Sequence, residues 1–212
     1  MTARIISLLG LAITLASGSD FVTVDRIAIV VGGHAIKTSD VDRDVRATEF
    51  LNNQPLDVGA EPKRQAAQRL VDQQIIRSEL STGSYQRPNE SEAAADLSQI
   101  KTERFGGSDA RLRQQLERYS LSEDDLRARL LWQLTVLSFI DQRFRPGVLI
   151  TDQDLRNYYT QHRAEDGNAA YETIAPKLRE SLAEEQINQQ FVAWLDQQRK
   201  DVHIQFIQGA LE

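Results

Sequence analysis

Residues Leu130 to Ile140 read LLWQLTVLSFI, and eight of these eleven residues are large and apolar. Only Gln133, Thr135 and Ser138 interrupt the run. Upstream, Ser122-Glu123-Asp124-Asp125 supplies a helix start: Ser122 as N-cap and acids where the helix dipole favours negative charge. Downstream, Pro146-Gly147 ends the helix. The pattern predicts one helix of about six turns, from roughly Ser122 to Phe144. Leu126, Leu130, Leu134 and Leu137 form one stripe at helical spacing, with Trp132, Val136, Phe139 and Ile140 beside it. A helix apolar over so wide an arc is normally covered on several sides, so a central core helix is the plain expectation. The sharper reading is that part of it lines an apolar groove for a polypeptide. The helix's own sequence does not separate the two.

Helix punctuation continues outward from this stretch in both directions. Toward the N-terminus, Ser108 is placed to cap a short helix bearing Leu112, Leu116 and Tyr119. Asn89 with Glu92 reads as a capping box for a more polar helix ending at Phe105-Gly106-Gly107. A helix from about Pro62 to Ser81 carries Leu70, Val71, Ile75, Ile76 and Leu80. Another is expected to start at Ser39, with Asp42 as capping-box partner, and to break at Asn52-Asn53-Gln54-Pro55. Toward the C-terminus, Val148 to Ile150 is extended and Thr151 caps a helix with Leu155, Tyr158 and Tyr159, ending near His162. A polar loop, Arg163 to Ala170, leads to a long helix from about Thr173 to Lys200, with Pro176 expected in its first turn.

Strand signals lie only at the two ends. Arg26 to Val31 (RIAIVV), Gly32-Gly33 and His34 to Lys37 read as a β-hairpin with a tight primed turn. A phosphate loop is the competing reading of the glycines, but no G-x-G-x-x-G or Walker pattern accompanies them. Val202 to Ile207 (VHIQFI) alternates apolar and polar and reads as a half-buried strand. An isolated hairpin is marginal in water, so this strand is expected to pair with the hairpin. The predicted class is mainly α with a small antiparallel sheet.

The chain has 212 residues and a net charge of −6. Met1 to Arg4, Ile5 to Ala16 and Ser17-Gly18-Ser19 resemble the basic, apolar and small-residue parts of a signal peptide, with Ala16-x-Gly18 as cleavage signal. The apolar run is short for a spanning anchor. An uncleaved anchor and a buried N-terminal element remain the alternatives. On the first reading residues 1–19 are removed, 20–212 form one domain, and the protein is periplasmic or secreted without stable membrane insertion. Without Arg4, 24 basic residues face 31 acidic ones, a net of −7 that argues against nucleic acid or an anionic membrane as the main partner. Zero cysteines exclude a disulfide, a thiolate metal site, a cysteine nucleophile and a lipidated cysteine.

Few residues offer catalytic chemistry. His34, His162 and His203 lack metal-ligand spacing. The acids at 123–125 and 152–154 fall in first helical turns, where capping accounts for them better than acid–base work. No nucleophile elbow occurs. Arg111, Arg113, Arg118, Arg127 and Arg129 are interleaved with acids and read as a solvated face. No catalytic, metal or cofactor-binding residue is assigned, no small-molecule cofactor is implied, and peptide-contacting residues stay unassigned.

The order of elements resembles the SurA and PrsA type of periplasmic chaperone. The resemblance rests on Asp25 to Val45 (DRIAIVVGGHAIKTSDVDRDV), Arg69 to Glu79 (RLVDQQIIRSE), and Leu121 to Tyr159, above all ITDQDLRNYY from Ile150 to Tyr159. Ile174 to Ile207 looks like the returning helix and strand. No one of these motifs is diagnostic; the ordered set carries the likeness. In those relatives a parvulin-type prolyl isomerase domain lies between the last two helices, where this chain has only the linker 163–170. Eight residues cannot form a domain with its own core. The resemblance therefore implies a chaperone module, made of the hairpin and helices 25–162 and the helix and strand 171–207, with its isomerase removed. It implies a non-enzymatic holdase that captures unfolded envelope or outer-membrane polypeptides in an apolar crevice. An isomerase-family enzyme and a structural subunit of an envelope assembly are the alternatives.

Overall fold

A computed structural model describes residues 25–162 and 170–212. The signal-peptide reading and nearly all of the linker reading lie outside the described residues. Among these residues are seven α-helices and a three-stranded antiparallel sheet, in agreement with the predicted class. In chain order they are β1 (Ile27–Val31), β2 (His34–Lys37), α1 (Thr38–Leu51), α2 (Ala60–Thr82), α3 (Glu90–Phe105), α4 (Asp109–Arg118), α5 (Glu123–Phe144), α6 (Asp152–His162), α7 (Tyr171–Asp201) and β3 (Ile204–Phe206). None of these helices is long and apolar enough to cross a membrane.

The sheet order is β2-β1-β3, so the C-terminal strand pairs with the hairpin as expected. Gly32 and Gly33 both have positive φ, at 55° and 87°, as a two-residue primed turn requires. Val31 faces His34 across the turn, and Val31 faces Ile204 on the other side. The Gly32 N–H donates to the His203 carbonyl and the Ile207 N–H to the Ala28 carbonyl, each at 2.9 Å, closing both ends of the β1–β3 ladder.

The polar punctuation forms most of the predicted caps. The Ser122 hydroxyl accepts the Asp125 N–H at 3.0 Å while the Asp125 carboxylate accepts the Ser122 N–H at 2.9 Å. Asn89 and Glu92 form the same reciprocal pair, and Thr151 with Asp154 a third. Gly106, at φ 59°, closes α3 through its N–H to the Thr102 carbonyl.

Two expectations about caps are corrected. Ser39 lies inside α1, which starts one residue earlier, and Asp42 forms no capping box. The Asp40 carboxylate accepts the Lys37 N–H at 3.0 Å instead. Because the hairpin folds back, Asp25 arrives at the same helix end. Its carboxylate accepts the Ser39 N–H and the Thr38 and Ser39 hydroxyls. Pro176 is not in a first turn. The helix α7 starts at Tyr171, whose ring meets Tyr159 at 5.4 Å, so Pro176 is its sixth residue and α7 lacks the bond to the Glu172 carbonyl.

The buried residues fall into three groups. Ile29, Val31, Val41, Val45, Val71 and Ile75 join the sheet to α1 and α2, with Leu195 of α7. Phe50, Leu97, Leu112, Leu116, Leu126 and Leu130 join the end of α1 to α3, α4 and the start of α5. Ile76, Leu80, Phe139, Phe144 and Ile187 join the ends of α2 and α5 to α7, framed by Trp194 and Phe191. The helix α5 crosses from the second group to the third and belongs wholly to neither.

That position overturns the expectation of a helix covered on several sides. Within Leu130 to Ile140 only Leu130 and Phe139 are buried. Leu131, Trp132, Leu134, Val136 and Ile140 are half-buried, and Leu137 is 64% exposed. The stripe Leu126-Leu130-Leu134-Leu137 thus runs from buried to open along one helix.

Candidate functional site

The half-buried face of α5 borders open clefts between α1, α2 and α5. One, of about 400 Å³, runs between Asp44 and Ala47 of α1, Leu70 and Arg77 of α2, and Ala128 and Trp132 of α5. A second, of about 560 Å³, lies between α2 and the more apolar end of α5, where Ile76 faces Leu134, Val136 and Leu137. Trp132 borders both. Side chains four residues apart lie on one face of a helix, so Ala128 and Trp132 share one line on α5, and Gln133 and Leu137 the adjacent one.

A buried polar knot divides the clefts. The Asp44 side chain, 3% exposed, accepts from Arg69 Nε at 2.8 Å and Nη2 at 2.7 Å. It also accepts from Arg129 Nη1 at 2.5 Å and Gln73 Nε2 at 3.3 Å. Four donor atoms on one carboxylate make desolvation tolerable, because charge and lone pairs are both answered. The knot ties three helices: Asp44 from α1, Arg69 and Gln73 from α2, Arg129 from α5. Arg129 Nε is buried without a partner among the described residues. Arg129 was expected on a solvated face; with its side chain only 16% exposed, it is an interior cation. Arg111, Arg113 and Arg118 are on the solvated face as read.

Other charges along the rim are matched. Arg43 pairs with Asp40 at 3.5 Å and with Asp125 at 3.2 Å. The Ser122 hydroxyl and N–H, with Arg43 nearby, hold the Asp125 carboxyl below the usual carboxylate range despite its partial burial. Arg77 differs. Its guanidinium lies 4.0 Å from the centre of the Trp132 ring and has no ion-pair partner among the described residues.

The histidines stay apart. His34 and His203 are exposed, and His162 stacks on Tyr158 at the end of α6. No group of three or more His, Cys, Asp or Glu side chains that could hold a metal ion occurs among the described residues. The acids at 123–125 and 152–154 serve first turns, as their positions suggested. Asp44 carried no signal in the sequence, since a lone Asp in helix α1 reads as solvent-facing. Only its spacing with Val41 and Val45 could have placed it near a buried face. Chemically the arrangement is a binding surface: an aromatic ring, half-buried and exposed aliphatic groups and one cation unmatched among the described residues, on a floor held rigid by ion pairs. No family model matches this sequence, and no curated protein matches it.

Proposed function

We propose that this chain is a non-enzymatic holdase of the SurA kind, holding unfolded envelope polypeptides in the clefts beside α5. The observation that carries this reading is the incomplete burial of the apolar stretch Leu130 to Ile140. Trp132, Leu134 and Val136 are half-buried along the cleft wall, and Leu137 is exposed, where a self-sufficient core would cover them. Burying one exposed leucine side chain is worth roughly 1.5–3 kcal/mol. Association and ordering of an extended segment oppose this by a similar or larger amount. Capture at one cleft is therefore weak, and release needs no nucleotide. The periplasmic setting rests on the N-terminal sequence reading alone.

The test is suppression of aggregation of an unfolded outer-membrane protein. The chain should keep such a client soluble at a few-fold molar excess, without nucleotide. Leu137→Asp should weaken capture about tenfold while leaving thermal stability unchanged, because Leu137 contributes little to the core. A wild-type chain with no effect at several-fold excess would sink the reading.

A further inference from the structure

A third cleft, of about 470 Å³, opens on the other flank of Trp132. Its apolar wall is Leu80 of α2, Leu131 and Trp132 of α5, and Pro88. Its charged groups are Arg77 and Arg87, and no carboxylate among the described residues lines it. The rim arginine Arg43 of the first cleft is paired, as is the interior Arg129. Among the described residues, Arg77 has only the Trp132 ring, and Arg87 only a 3.4 Å bond to the Leu80 carbonyl. Partial desolvation pulls the Arg77 guanidinium below its ordinary range, a cost that an anion would relieve.

The segment bearing Arg87 is held in place. Gln142 of α5 donates to the Gln86 carbonyl at 2.9 Å and accepts the Gln86 N–H at 2.8 Å. Next to it, Arg143 of α5 donates to Glu79 of α2 and to the Tyr85 hydroxyl, and the Tyr85 hydroxyl donates to Glu79 at 2.8 Å. Two clamps on α5 thus fix the backbone from which Arg87 reaches the cleft. Arg77 stands on α2, a helix fixed by the Asp44 knot.

We propose that this third cleft selects peptide segments in which an acidic side chain sits among apolar or aromatic residues, the carboxylate lying between Arg77 and Arg87. This rests on the holdase reading and names the client chemistry. Charge complementarity points to the occupant: two unmatched guanidinium groups, which pair carboxylates through parallel N–H bonds, over an apolar wall. A polyanion does not fit a chain of net charge −6 with two free cations at this place. The third cleft shares Arg77, Ala128 and Trp132 with the first, so a bound segment can run on past the cations. That continuity favours an internal Asp or Glu over a chain end.

The experiment uses the full chain and three fluorescent peptides of one sequence. The first is end-blocked, with one glutamate between two phenylalanines; the second has glutamine there; the third has glutamine and a free C-terminal carboxylate. Anisotropy at low salt should show the glutamate peptide binding about tenfold more tightly than the blocked glutamine peptide. The ratio should approach one at high salt and in the Arg77→Gln/Arg87→Gln variant. That variant should unfold at the wild-type urea midpoint, which shows that the fold around the cleft is intact. Equal affinity for the two blocked peptides in the wild type would overturn the inference and leave the holdase reading standing. No binding of any peptide would overturn both. Tighter binding of the free-carboxylate peptide than of the glutamate peptide would overturn the side-chain assignment in favour of chain ends.

Discussion

Replacing Asp44 with alanine should be among the most damaging single changes in this protein, and the reason is the arginines left behind. Asp44 is buried, and two guanidinium groups and one amide donate to it. Removing one partner of a buried pair typically costs about 3–5 kcal/mol, mostly as desolvation of the orphaned charge. Here the two orphans differ. The Arg69 side chain is 34% exposed and can turn to water; that of Arg129 is 16% exposed and already has an unpartnered Nε. The lower end of the range, about 3 kcal/mol, is therefore expected. With a urea m-value of about 2–3 kcal/mol/M, the unfolding midpoint should fall by roughly 1–1.5 M. Replacing Asp44 and the more buried arginine by apolar residues, as Asp44→Leu/Arg129→Met, should recover much of the loss, since the one cation left, Arg69, can turn to water. A single-variant cost below about 1 kcal/mol, or a double variant that is merely additive, would refute the account of the knot.

Other outcomes follow from the same geometry. Ending the chain after Asp201 should lower stability by several kcal/mol in thermal or urea melts, through lost ladder bonds and exposure of Ile29 and Val31, since Phe206 is itself 51% exposed. A truncation that melts like the full chain would show β3 to be dispensable. Ser122→Ala should cost about 1 kcal/mol at neutral pH by removing the α5 cap. Ser122 lowers the folded pKa of Asp125, so the pair's contribution is full above the unfolded carboxylate value of about 3.9 and is lost as pH falls below it through the lowered folded value. The gap in urea midpoints between wild type and Ser122→Ala should therefore narrow from pH 6 toward pH 3, leaving the part due to the bond from the Asp125 N–H to the Ser122 hydroxyl, which does not titrate. Proline-peptide assays should show no turnover by the purified chain. Activity that survives removal of contaminating isomerases would return the enzyme reading.

Local chemistry made most of the fold legible in the sequence. Capping pairs such as Asn89 with Glu92 act over three residues, so reading them needs no knowledge of the rest of the chain. The β1–β3 pairing was legible by elimination, because unpaired strand edges need partners and only two strand signals existed. The cap of α1 was misread because Asp25, which lies thirteen residues before Thr38, supplies it through the hairpin's return. The clefts were illegible for a similar reason. Arg129 meets Asp44 across 85 residues, and nothing local to either marks it as buried. Periodicity gave the lines of apolar residues on α5 but not where cover along them stops. Leu130 and Leu137 have the same side chain and opposite exposure because α3 and α4 cover only the first half of the helix.

The sheet has a consequence for how the chain comes to be folded. Its central strand, β1, takes one neighbour after a two-residue turn and the other about 170 residues later. At a synthesis rate of 5–20 residues per second, β3 follows β1 by roughly ten to thirty seconds. Contacts of such sequence separation also close late in folding, because the loop entropy precedes their reward. Throughout that interval β1 keeps one bare edge and the apolar side chains Ile29 and Val31 lack part of their cover. The nascent hairpin is then an apolar strand with unpaired amides, so this protein is, before its last strand arrives, a substrate for the same kind of protection that its clefts are proposed to give.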